Sequence, residues 1–583
     1  MVNKQRQGLE QSPGITTGQL GLFVAVVLLI VNVMPFTEVF AQTTGSTGVE
    51  PGKIEDRIQN RAVKPPREKA PAIPKLPPPD LQPDGVDTKF VLAGVEITGA
   101  TVYPIATFAP MYEKFLASEI KVAEVKALVK MITDKYRDDG YFLASAVADP
   151  QDLALGILRI RVVEGAISRV SFKGNLGQRG ALLKRFAAKI KAAKPTRLDR
   201  LERYMMLIDD LPGAGIDGSL KPIDKDKGEF ELVFAMQQSA VDAYASFDNR
   251  GTRAVGRHQA LLNAYLNKGI TDAERTGLTV FTIPRSPKEL IYGELVHEQY
   301  FGTEGLRVWL SASHSEVDAG GTFSESDLGS RSMRAVLGAS YPIIRSRDHN
   351  LTITGKFDVI NQRQNENDVR DFDDRLRMLR VGANYNVNDD LEGQNWFNAE
   401  LTRGLDILGA SSGAYSGQSR SKSRADGHVE FTKLTASAGR RQKFGKEWAV
   451  QVTLSGQKSD ERLLSNEEFY IGGSQLGRAF DSGEISGDDA AGVSTEIQFG
   501  QFIHKPYLNS YQVYGFYDFG VVWETEATDF NGRATLASAG GGVRLGITKK
   551  VFGGIEVAKP LTRVVANEGD KGPRVFFYLL ANN

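Results

Sequence analysis

The sequence of 583 residues contains no cysteine and carries no net formal charge. Without cysteine the chain can form no disulfide framework, thiolate metal site or thiol nucleophile. Lys and Arg total 71, as do Asp and Glu, so the composition does not favour a basic nucleic-acid-binding protein. The six histidines lack the paired spacing of a metal site, and no serine and histidine are arranged as a nucleophile with its base. We therefore expect no catalytic site, no metal and no cofactor.

Long apolar runs are also scarce, and the one near the N-terminus is short. Leu20–Val33 follows the basic residues Lys4 and Arg6 and precedes a small-residue cleavage site at Ala41. This pattern predicts a signal peptide over residues 1–41, with an uncleaved anchor helix as the alternative, and both imply export. Hydrophobic residues make up 41% of the chain. That fraction excludes a bundle of apolar membrane helices but not a barrel, whose strands need apolar residues only at alternate positions.

The sequence after the signal is first polar and then rich in proline. Residues 42–64 hold a segment of about three helical turns, in which Ile54 and Ile58 are the only large apolar residues in register. The segment is therefore either a weakly amphipathic helix or a disordered leader. Residues 65–89 are crowded with proline, which predicts an extended, semi-rigid linker without a packed core.

Residues 90–165 and 166–240 predict two small α+β units of one plan, because strand-like segments surround helices with apolar residues at helical spacing. Residues 224–228 predict a hairpin turn rather than a calcium loop, since the closing glutamate of such a loop is missing. The first unit is predicted to contain a strand over 90–97, a helix after 118 that ends at 140, and strands over 141–147 and 157–164. The second is predicted to contain a strand over 167–173, helices over 181–193 and 198–211, and a strand over 229–237.

The remaining sequence alternates between apolar and polar residues with a period of two. Val450 and Val452, for example, alternate with Gln451 and Thr453. This pattern predicts a transmembrane antiparallel β-barrel over residues 241–583, apolar toward lipid and polar toward a wet lumen, with about 16 strands. A soluble β-solenoid or sandwich is the alternative. The fold class is thus mainly β, a barrel preceded by two α+β domains.

Four motifs, in chain order, resemble those of two-partner secretion transporters of the outer membrane, the haemolysin secretion/activation (TpsB) type. They are the end of a first POTRA (polypeptide-transport-associated) domain, the opening strand of the barrel, a long loop folded into the barrel, and the strand that meets this loop. They read GYFLASAVADPQ at 140–151 with GILRIRVVEG at 156–165, SFDNRG at 246–251, FYIGGSQLGRAF at 469–480 with GEISGD at 483–488, and FYDFG at 516–520. The resemblance extends from about residue 50 to the C-terminus.

The resemblance implies a pore in the outer membrane of a Gram-negative bacterium, with two POTRA domains in the periplasm. Its partner would be a secreted, TpsA-like exoprotein, bound as an unfolded client by the POTRA domains and exported through the barrel. The transporter would contact outer-membrane lipid and no nucleic acid, act as a monomer or weak dimer, and carry a plug helix within residues 42–64. A general barrel-assembly factor and a passive porin are the alternatives.

The resemblance also implies which residues carry function. Client binding would involve POTRA residues around Tyr141, Pro150, Gln151, Glu164 and Gly165. A latch in the lumen would involve Arg478, Phe480, Asp518, Phe516 and Gly520. The loop motif adds Gly472, Gly473, Gly477, Gly487 and Asp488.

Strand alternation supports the latch. Over residues 511–522 it turns Asp518 toward the lumen, where a charge-assisted contact with Arg478 is predicted. One position departs from the family, because Ala479 stands where glycine is common, and alanine adopts positive φ less freely than glycine.

Overall fold

The computed structural model describes residues 89–583, apart from 175, 177, 178, 268, 270, 272, 321–326, 413–420 and 526–531. The predicted signal peptide, plug helix and nearly all of the proline-rich linker lie outside the described residues. No helix in the described part of the chain is long and apolar enough to cross a membrane.

The first α+β domain places one long amphipathic helix against a three-stranded sheet. Its elements are β1 (Lys89–Val91), β2 (Gly94–Thr98), α1 (Ala109–Tyr112) between short 3-10 turns at Ile105–Phe108 and Glu113–Phe115, β3 (Glu119–Lys121), α2 (Val122–Asp138), β4 (Ser145–Val147) and β5 (Ile157–Val163). The sheet has the order β2-β5-β4, and β1 pairs with β3. One face of α2 is buried in the core, since its apolar residues recur three or four positions apart at Val125, Leu128, Ile132 and Tyr136.

Two predicted strands of this domain need correction. The single strand expected over residues 90–97 is two strands, because the chain changes partner between them: Leu92 N–H donates to Ser118 O and Ala93 N–H to Gly156 O. The strand expected over residues 141–147 begins only at Ser145. The preceding residues form a turn instead, in which Ala144 N–H donates to Tyr141 O.

The second α+β domain repeats the plan with two helices. It comprises β6 (Ala166–Lys173), α3 (Gly180–Lys191), α4 (Leu198–Asp209), β7 (Ala214–Asp224) and β8 (Glu229–Gln238), with sheet order β6-β8-β7. The sequence gives little sign of β7, since Gly215, Gly218 and Pro222 all have low strand propensity. The hairpin turn predicted over residues 224–228 is confirmed: Asp224 Oδ1 accepts hydrogen bonds from two backbone N–H groups, and β7 pairs with β8.

The rest of the chain forms a closed antiparallel barrel of sixteen strands, as predicted. The strands are β9 (Val241–Asp248), β10 (Gln259–Leu266), β11 (Glu274–Thr282), β12 (Leu290–Phe301), β13 (Leu306–Asp318), β14 (Gly329–Arg345), β15 (His349–Glu366), β16 (Val369–Asn388), β17 (Gly393–Gly404), β18 (Thr432–Phe444), β19 (Trp448–Ser459), β22 (Asp489–Lys505), β23 (Leu508–Trp523), β24 (Arg533–Gly546), β25 (Val551–Pro560) and β26 (Arg574–Asn582). β26 pairs with β9 and closes the barrel. Two short strands, β20 (Phe469–Ile471) and β21 (Ile485–Gly487), form a separate hairpin between β19 and β22.

The two faces of the barrel wall differ in chemistry as the alternation predicts. Large apolar side chains such as Leu310, Met333 and Ile555 are about 60% exposed on the outer face. Charged side chains such as Asp358 and Asp518 are fully buried on the inner face. The wall is therefore apolar outside and polar inside, which suits a barrel surrounded by lipid.

Candidate functional site

The connection between β19 and β22, residues 460–488, folds back into the barrel and is called the lumen loop. Its hairpin of β20 and β21 packs against the inner wall, where Ile471 and Ile485 are buried together with Phe480 and Leu536 of β24. Gly520 of β23 makes this approach possible, because a Cβ at that position would lie only 2.7 Å from Ile471 Cδ1. The predicted glycine thus provides space for the loop.

Arg478 lies near the tip of the lumen loop and binds Asp518 on β23 with two hydrogen bonds. Its Nε is 3.1 Å from Asp518 Oδ2 and its Nη2 is 3.0 Å from Oδ1. The backbone N–H groups of Gly477 and Arg478 also donate to Oδ2. The guanidinium stacks 3.6 Å from the ring centroid of Phe516. The structure therefore brings four of the predicted residues into one contact, which charge-assisted and cation–π interactions stabilise.

Glycines give the loop tip its tight turn. Gly472, Gly473 and Gly477 all have positive φ, a conformation that favours glycine. Ala479 is not among the described residues with positive φ, so the alanine fits this position without backbone strain. Its carbonyl oxygen accepts a hydrogen bond from Arg574 Nη1 at 3.0 Å.

Two wall residues that the sequence analysis did not single out complete the contact. Arg478 Nη1 is 2.7 Å from Glu496 Oε2 on β22, and Arg544 on β24 binds the same carboxylate at 2.6 and 2.9 Å. We call Arg478, Glu496, Asp518 and Arg544 the tip cluster. Its two positive and two negative side chains balance. Strand alternation places Glu496 and Asp518 on the inner face, but only the register of β22 with β23, which pairs Glu496 with Phe516 and Ser494 with Asp518, makes them diagonal neighbours.

The predicted motif residue Asp488 lies away from the tip cluster, where the lumen loop rejoins the wall. Its fully buried carboxylate accepts hydrogen bonds from Arg424 and from the backbone N–H groups of Leu463 and Thr525. Arg424 belongs to the neighbouring connection between β17 and β18. Gly487 beside Asp488 allows close packing, because a Cβ there would lie 2.7 Å from Trp523 O. Asp488 therefore joins two loops at the base of the hairpin.

A polar cavity of about 420 Å³ adjoins the loop tip inside the barrel. It is lined by charged and hydroxyl side chains from many strands, and three members of the tip cluster border it: Arg478, Glu496 and Arg544. Among the described residues, no group of three or more histidine, aspartate or glutamate side chains is arranged to hold a metal ion. The interior next to the loop is thus a charged space that is large enough for several water molecules.

Glu164 makes contacts that hold two segments of the first α+β domain together. Its Oε1 accepts hydrogen bonds from the N–H groups of Thr101 and Val102 and from the Tyr136 hydroxyl, all within 2.8 Å. Burial alone would raise the pKa of Glu164, but these hydrogen bonds, with one from the Thr101 hydroxyl, outweigh burial and lower its pKa. The carboxylate joins the segment after β2 to α2.

Gln151 extends the edge of a strand. Its side-chain amide pairs with the backbone of Arg159 on β5, with Arg159 N–H 2.7 Å from Oε1 and Nε2 2.8 Å from Arg159 O. β4 pairs with β5 only as far as Arg161, so the amide replaces backbone bonds beyond the end of β4. Pro150 next to it is exposed.

Tyr141 and Gly165 lie where the first α+β domain meets the second. The guanidinium of Arg197 lies 5.4 Å from the ring centroid of Tyr141, and Thr196 N–H donates to Gly165 O. A Cβ on Gly165 would lie 2.5 Å from Leu143 O, so glycine is required there. Four of the five predicted client-binding residues thus make separate internal contacts, and the fifth, Pro150, is exposed.

The fold and the lumen loop together define a class of protein: an outer-membrane transport barrel with periplasmic POTRA domains. A family model described as haemolysin secretion/activation protein ShlB/FhaC/HecB matches residues 232–545, which is more than half of the chain. A second model, POTRA domain, ShlB-type, matches residues 90–165. The chain belongs to the ShlB/FhaC/HecB family, whose members are the outer-membrane translocators of two-partner secretion.

Individual relatives agree with this assignment. The chain is 21% identical to the heme/hemopexin transporter protein HuxB of Haemophilus influenzae, over 82% of this chain and 85% of the relative. It is 22% identical to the outer membrane transporter CdiB of Escherichia coli, over 85% and 86%. The solved structure of CdiB from Escherichia coli matches with a TM-score of 0.66 and 18% identity, covering 98% of this chain and all of that one. CdiB from Acinetobacter baumannii matches with a TM-score of 0.58 and 17% identity, over 91% and 96%.

These findings settle the class of activity and its place in the cell. The protein is an outer-membrane translocator of a two-partner secretion system, and its POTRA domains are periplasmic. Family members are transporters rather than enzymes. The end of the barrel that adjoins the second POTRA domain therefore faces the periplasm, and the lumen loop enters from the extracellular end.

Proposed function

We propose that the transporter captures an unfolded exoprotein at the sheet edges of its POTRA domains, and that the tip of the lumen loop gates the exoprotein's passage through the barrel. The observation that carries this proposal is the bidentate contact between Arg478 and the fully buried Asp518, which holds the loop tip against the inner wall of the barrel.

The POTRA sheets offer strand edges for capture. β2 ends the sheet of the first domain and β6 ends the sheet of the second. The opposite edges suit a client less well: Thr133 of α2 accepts a hydrogen bond from Ala146 of β4, and Pro222 in β7 has no N–H to donate. An extended client segment can add to β2 or β6 through main-chain hydrogen bonds, which depend little on its sequence.

The tip cluster closes the pore without a covalent bond. Removing one partner from a buried ion pair typically costs about 3–5 kcal/mol, because the other charge is left uncompensated. The docked loop therefore resists the loss of either partner of the pair. Because the tip cluster borders a polar cavity, water and the polar backbone of an arriving client can replace its contacts.

Directionality follows from the state of the client on each side. The exoprotein crosses as an unfolded chain and folds outside the cell, so that refolding withdraws it from the pore. HuxB is named for heme and hemopexin transport and CdiB as an outer membrane transporter. For the present chain we propose a client of the same general kind, a large secreted TpsA-like protein.

Removal of residues 90–165 tests capture. The shortened transporter should lose most of its binding to the exoprotein, because the β2 edge and the whole first POTRA domain are absent and only the β6 edge remains. Binding is measured by co-purification of a TpsA-like exoprotein that is co-expressed with the transporter. The control is assembly of the shortened barrel, recorded as heat-modifiable migration in gels. Binding that persists in an assembled barrel would place capture elsewhere on the molecule.

A further inference from the structure

A second buried ion cluster holds the lumen loop at its base. Glu467 lies just before β20 and is 3% exposed. Its Oε1 is 2.7 Å from Arg380 Nη2 on β16, and its Oε2 is 2.8 Å from Lys433 Nζ on β18. Its backbone carbonyl oxygen accepts further hydrogen bonds from Lys433 Nζ at 2.7 Å and from Gln457 Nε2 at 3.1 Å. One loop residue is therefore held by three strands of the wall.

The wall behind Glu467 is rich in positive charge. Arg380 Nε and Arg334 Nη2 are each 2.7 Å from the same oxygen of Asp358. We call Arg334, Asp358, Arg380, Lys433 and Glu467 the base cluster. Arg380 also contacts Glu400 on β17 at 3.5 Å, and Lys356 on β15 pairs with that carboxylate at 2.7 Å. With these two neighbours, four cations face three carboxylates, and only Glu467 comes from the loop. If Glu467 left, four positive side chains would face two carboxylates, which a low-dielectric site tolerates poorly.

The two clusters are similarly buried, but only the tip cluster has members, Arg478, Glu496 and Arg544, that border the polar cavity. The tip cluster borders the polar cavity of about 420 Å³, whereas the residues of the base cluster, all of them described, do not line that cavity. Charges at the tip can exchange a protein partner for water or for a client. Charges at the base would have to lose their partner without such replacement, which costs several kcal/mol per ion. The loop is therefore held by one exchangeable contact and one fixed contact.

We propose that Glu467 is a second positioning residue of the transport pore and the fixed pivot of the lumen loop. The base cluster holds the loop against β16 and β18 while the contacts of the tip cluster break. The loop tip then moves, and the base of the loop keeps its position. Glu467 at the same time covers the basic wall of β14, β16 and β18 with negative charge. This inference rests on the proposed gating role of the loop.

Ion selectivity in planar bilayers distinguishes the two clusters. Glu467→Gln removes one negative charge beside Arg380 and Lys433 and leaves the cluster more positive, so the reversal potential across a KCl gradient should shift toward anions. Arg478→Ala leaves Glu496 and Asp518 with only Arg544, so its shift should be toward cations. Glu467→Asp keeps the charge and should retain the parental selectivity. A residue that only supported folding would not produce shifts of opposite sign.

Export of the exoprotein is the second measurement. Glu467→Gln should slow export about tenfold, which corresponds to about 1.4 kcal/mol of barrier. Glu461→Gln is the matched control, because Glu461 belongs to the same loop but its side chain is 42% exposed. It should leave both export and selectivity at parental values.

The outcomes of these experiments distinguish the pivot at Glu467 from the gate at Arg478. Parental selectivity and export in an assembled Glu467→Gln barrel overturn the pivot. Parental export in Arg478→Ala overturns the gate and leaves the pivot's selectivity test standing. If Glu467→Gln does not assemble, the double variant Glu467→Gln, Lys433→Gln removes one charge of each sign and avoids a new imbalance. That variant should still raise mean conductance and slow export, and parental values in both would reject the pivot.

Discussion

At the scale of single residues, the buried carboxylate of Asp518 accepts several hydrogen bonds from the lumen loop and the wall. Its Oδ1 accepts from Arg478 and from the Ser494 hydroxyl at 2.8 Å, and its Oδ2 accepts from the backbone of the loop tip. With no exposed surface, the carboxylate depends on these donors for all of its stabilisation. A substitution at either end of the pair therefore removes the main contact between the loop tip and the barrel wall.

Arg478→Ala and Asp518→Ala should each reduce export of the exoprotein while assembled barrel levels stay near normal. Each leaves one buried charge without its main partner, a loss of about 3–5 kcal/mol in docking of the loop tip. Arg478→Lys should give an intermediate export level, because lysine keeps the charge but cannot form the bidentate contact. Exoprotein in the culture medium and heat-modifiable migration measure the two quantities.

Lys458→Ala provides the matched control for this series. Lys458 also pairs with a carboxylate close to the lumen loop, that of Asp489, but its side chain is 74% exposed. Exposed pairs contribute little, about 0–1 kcal/mol, so export should not change. Unchanged export in Arg478→Ala would show that the Arg478–Asp518 contact is not a latch.

Residue types in the sequence predict some of this site but not all of it. Strand alternation turns Asp518 inward, and the family resemblance supplies Arg478 as its partner. Glu496, Arg544 and Glu467 are not predicted, because a contact between strands or between loop and wall depends on register. A shift of one residue moves every side chain to the other face, and one sequence does not determine that register.

At the level of elements, the shortest pairing between neighbouring strands of the barrel is the one between β9 and β26, which closes the barrel and is called the seam. The two strands share backbone pairs only from Tyr578 with Asp248 to Asn582 with Tyr244. Asparagine side chains extend the seam at both ends. Asn249 Nδ2 donates to Val575 O at 2.9 Å, and its Oδ1 accepts from Phe577 N–H at 2.7 Å.

Asn583, the last residue of the sequence, extends the seam in the same way at its periplasmic end. Asn583 Oδ1 accepts from Ala243 N–H at 2.9 Å, and its Nδ2 donates to Val241 O at 2.7 Å. Both amides thus take the place of a peptide group where the backbone ladder stops. They satisfy edge groups that would otherwise be open to pairing with another chain.

Asn249→Ala and Asn583→Ala should each make the barrel unfold at a lower temperature. Each removes two hydrogen bonds, and a net contribution of about 0.5–1.5 kcal/mol per bond gives about 1–3 kcal/mol for each variant. The temperature at which heat-modifiable migration is lost measures the effect. Asn398→Ala is the control, because its single bond to Ser437 spans β17 and β18, which pair along most of their length. Equal shifts in all three variants would show that the seam is not specially sensitive.

Secondary-structure elements can be predicted where the local pattern of apolar and polar residues is strong. The barrel strands and the amphipathic helix α2 follow from clear periods of two and 3.6, and the number of strands follows from length. β7 was not predicted because Gly and Pro reduce its strand propensity, and pairing with β8 overrides that propensity. The division of residues 90–97 into two strands depends on partners far along the chain, Ser118 and Gly156, which local pattern does not reveal.

At the scale of the whole molecule, the second POTRA domain is joined to the barrel through α4 and the periplasmic turns. Arg345 at the end of β14 binds Asp210 with Nε 2.7 Å from Oδ2 and Nη2 2.5 Å from Oδ1. Arg203 of α4 donates to the carbonyl oxygens of Pro342 and Ile343. Glu304, in the turn between β12 and β13, completes the contact with Lys189 Nζ at 3.0 Å.

Apolar packing accompanies these polar contacts. Ala273 at the start of β11 is buried in the core of the second POTRA domain, and Tyr300 of β12 packs against that core. Gly305 allows the closest approach, because a Cβ there would lie 2.6 Å from Leu207 Cδ2. The second POTRA domain thus shares its core with the barrel rim, which positions the β6 edge relative to the pore entrance.

Asp210→Ala should loosen this junction. The pair is partly exposed, so the expected loss is about 1 kcal/mol, and amide hydrogen exchange over residues 198–209 should become faster. The double variant Asp210→Arg, Arg345→Asp reverses both charges and should restore slow exchange. Arg200→Ala on the exposed face of the same helix is the control and should leave exchange unchanged. In the proposed route the POTRA domains pass the client to the pore entrance, so export should fall with Asp210→Ala and recover in the double variant. Recovery of exchange without recovery of export would mean that the junction stabilises the domain but does not guide the client.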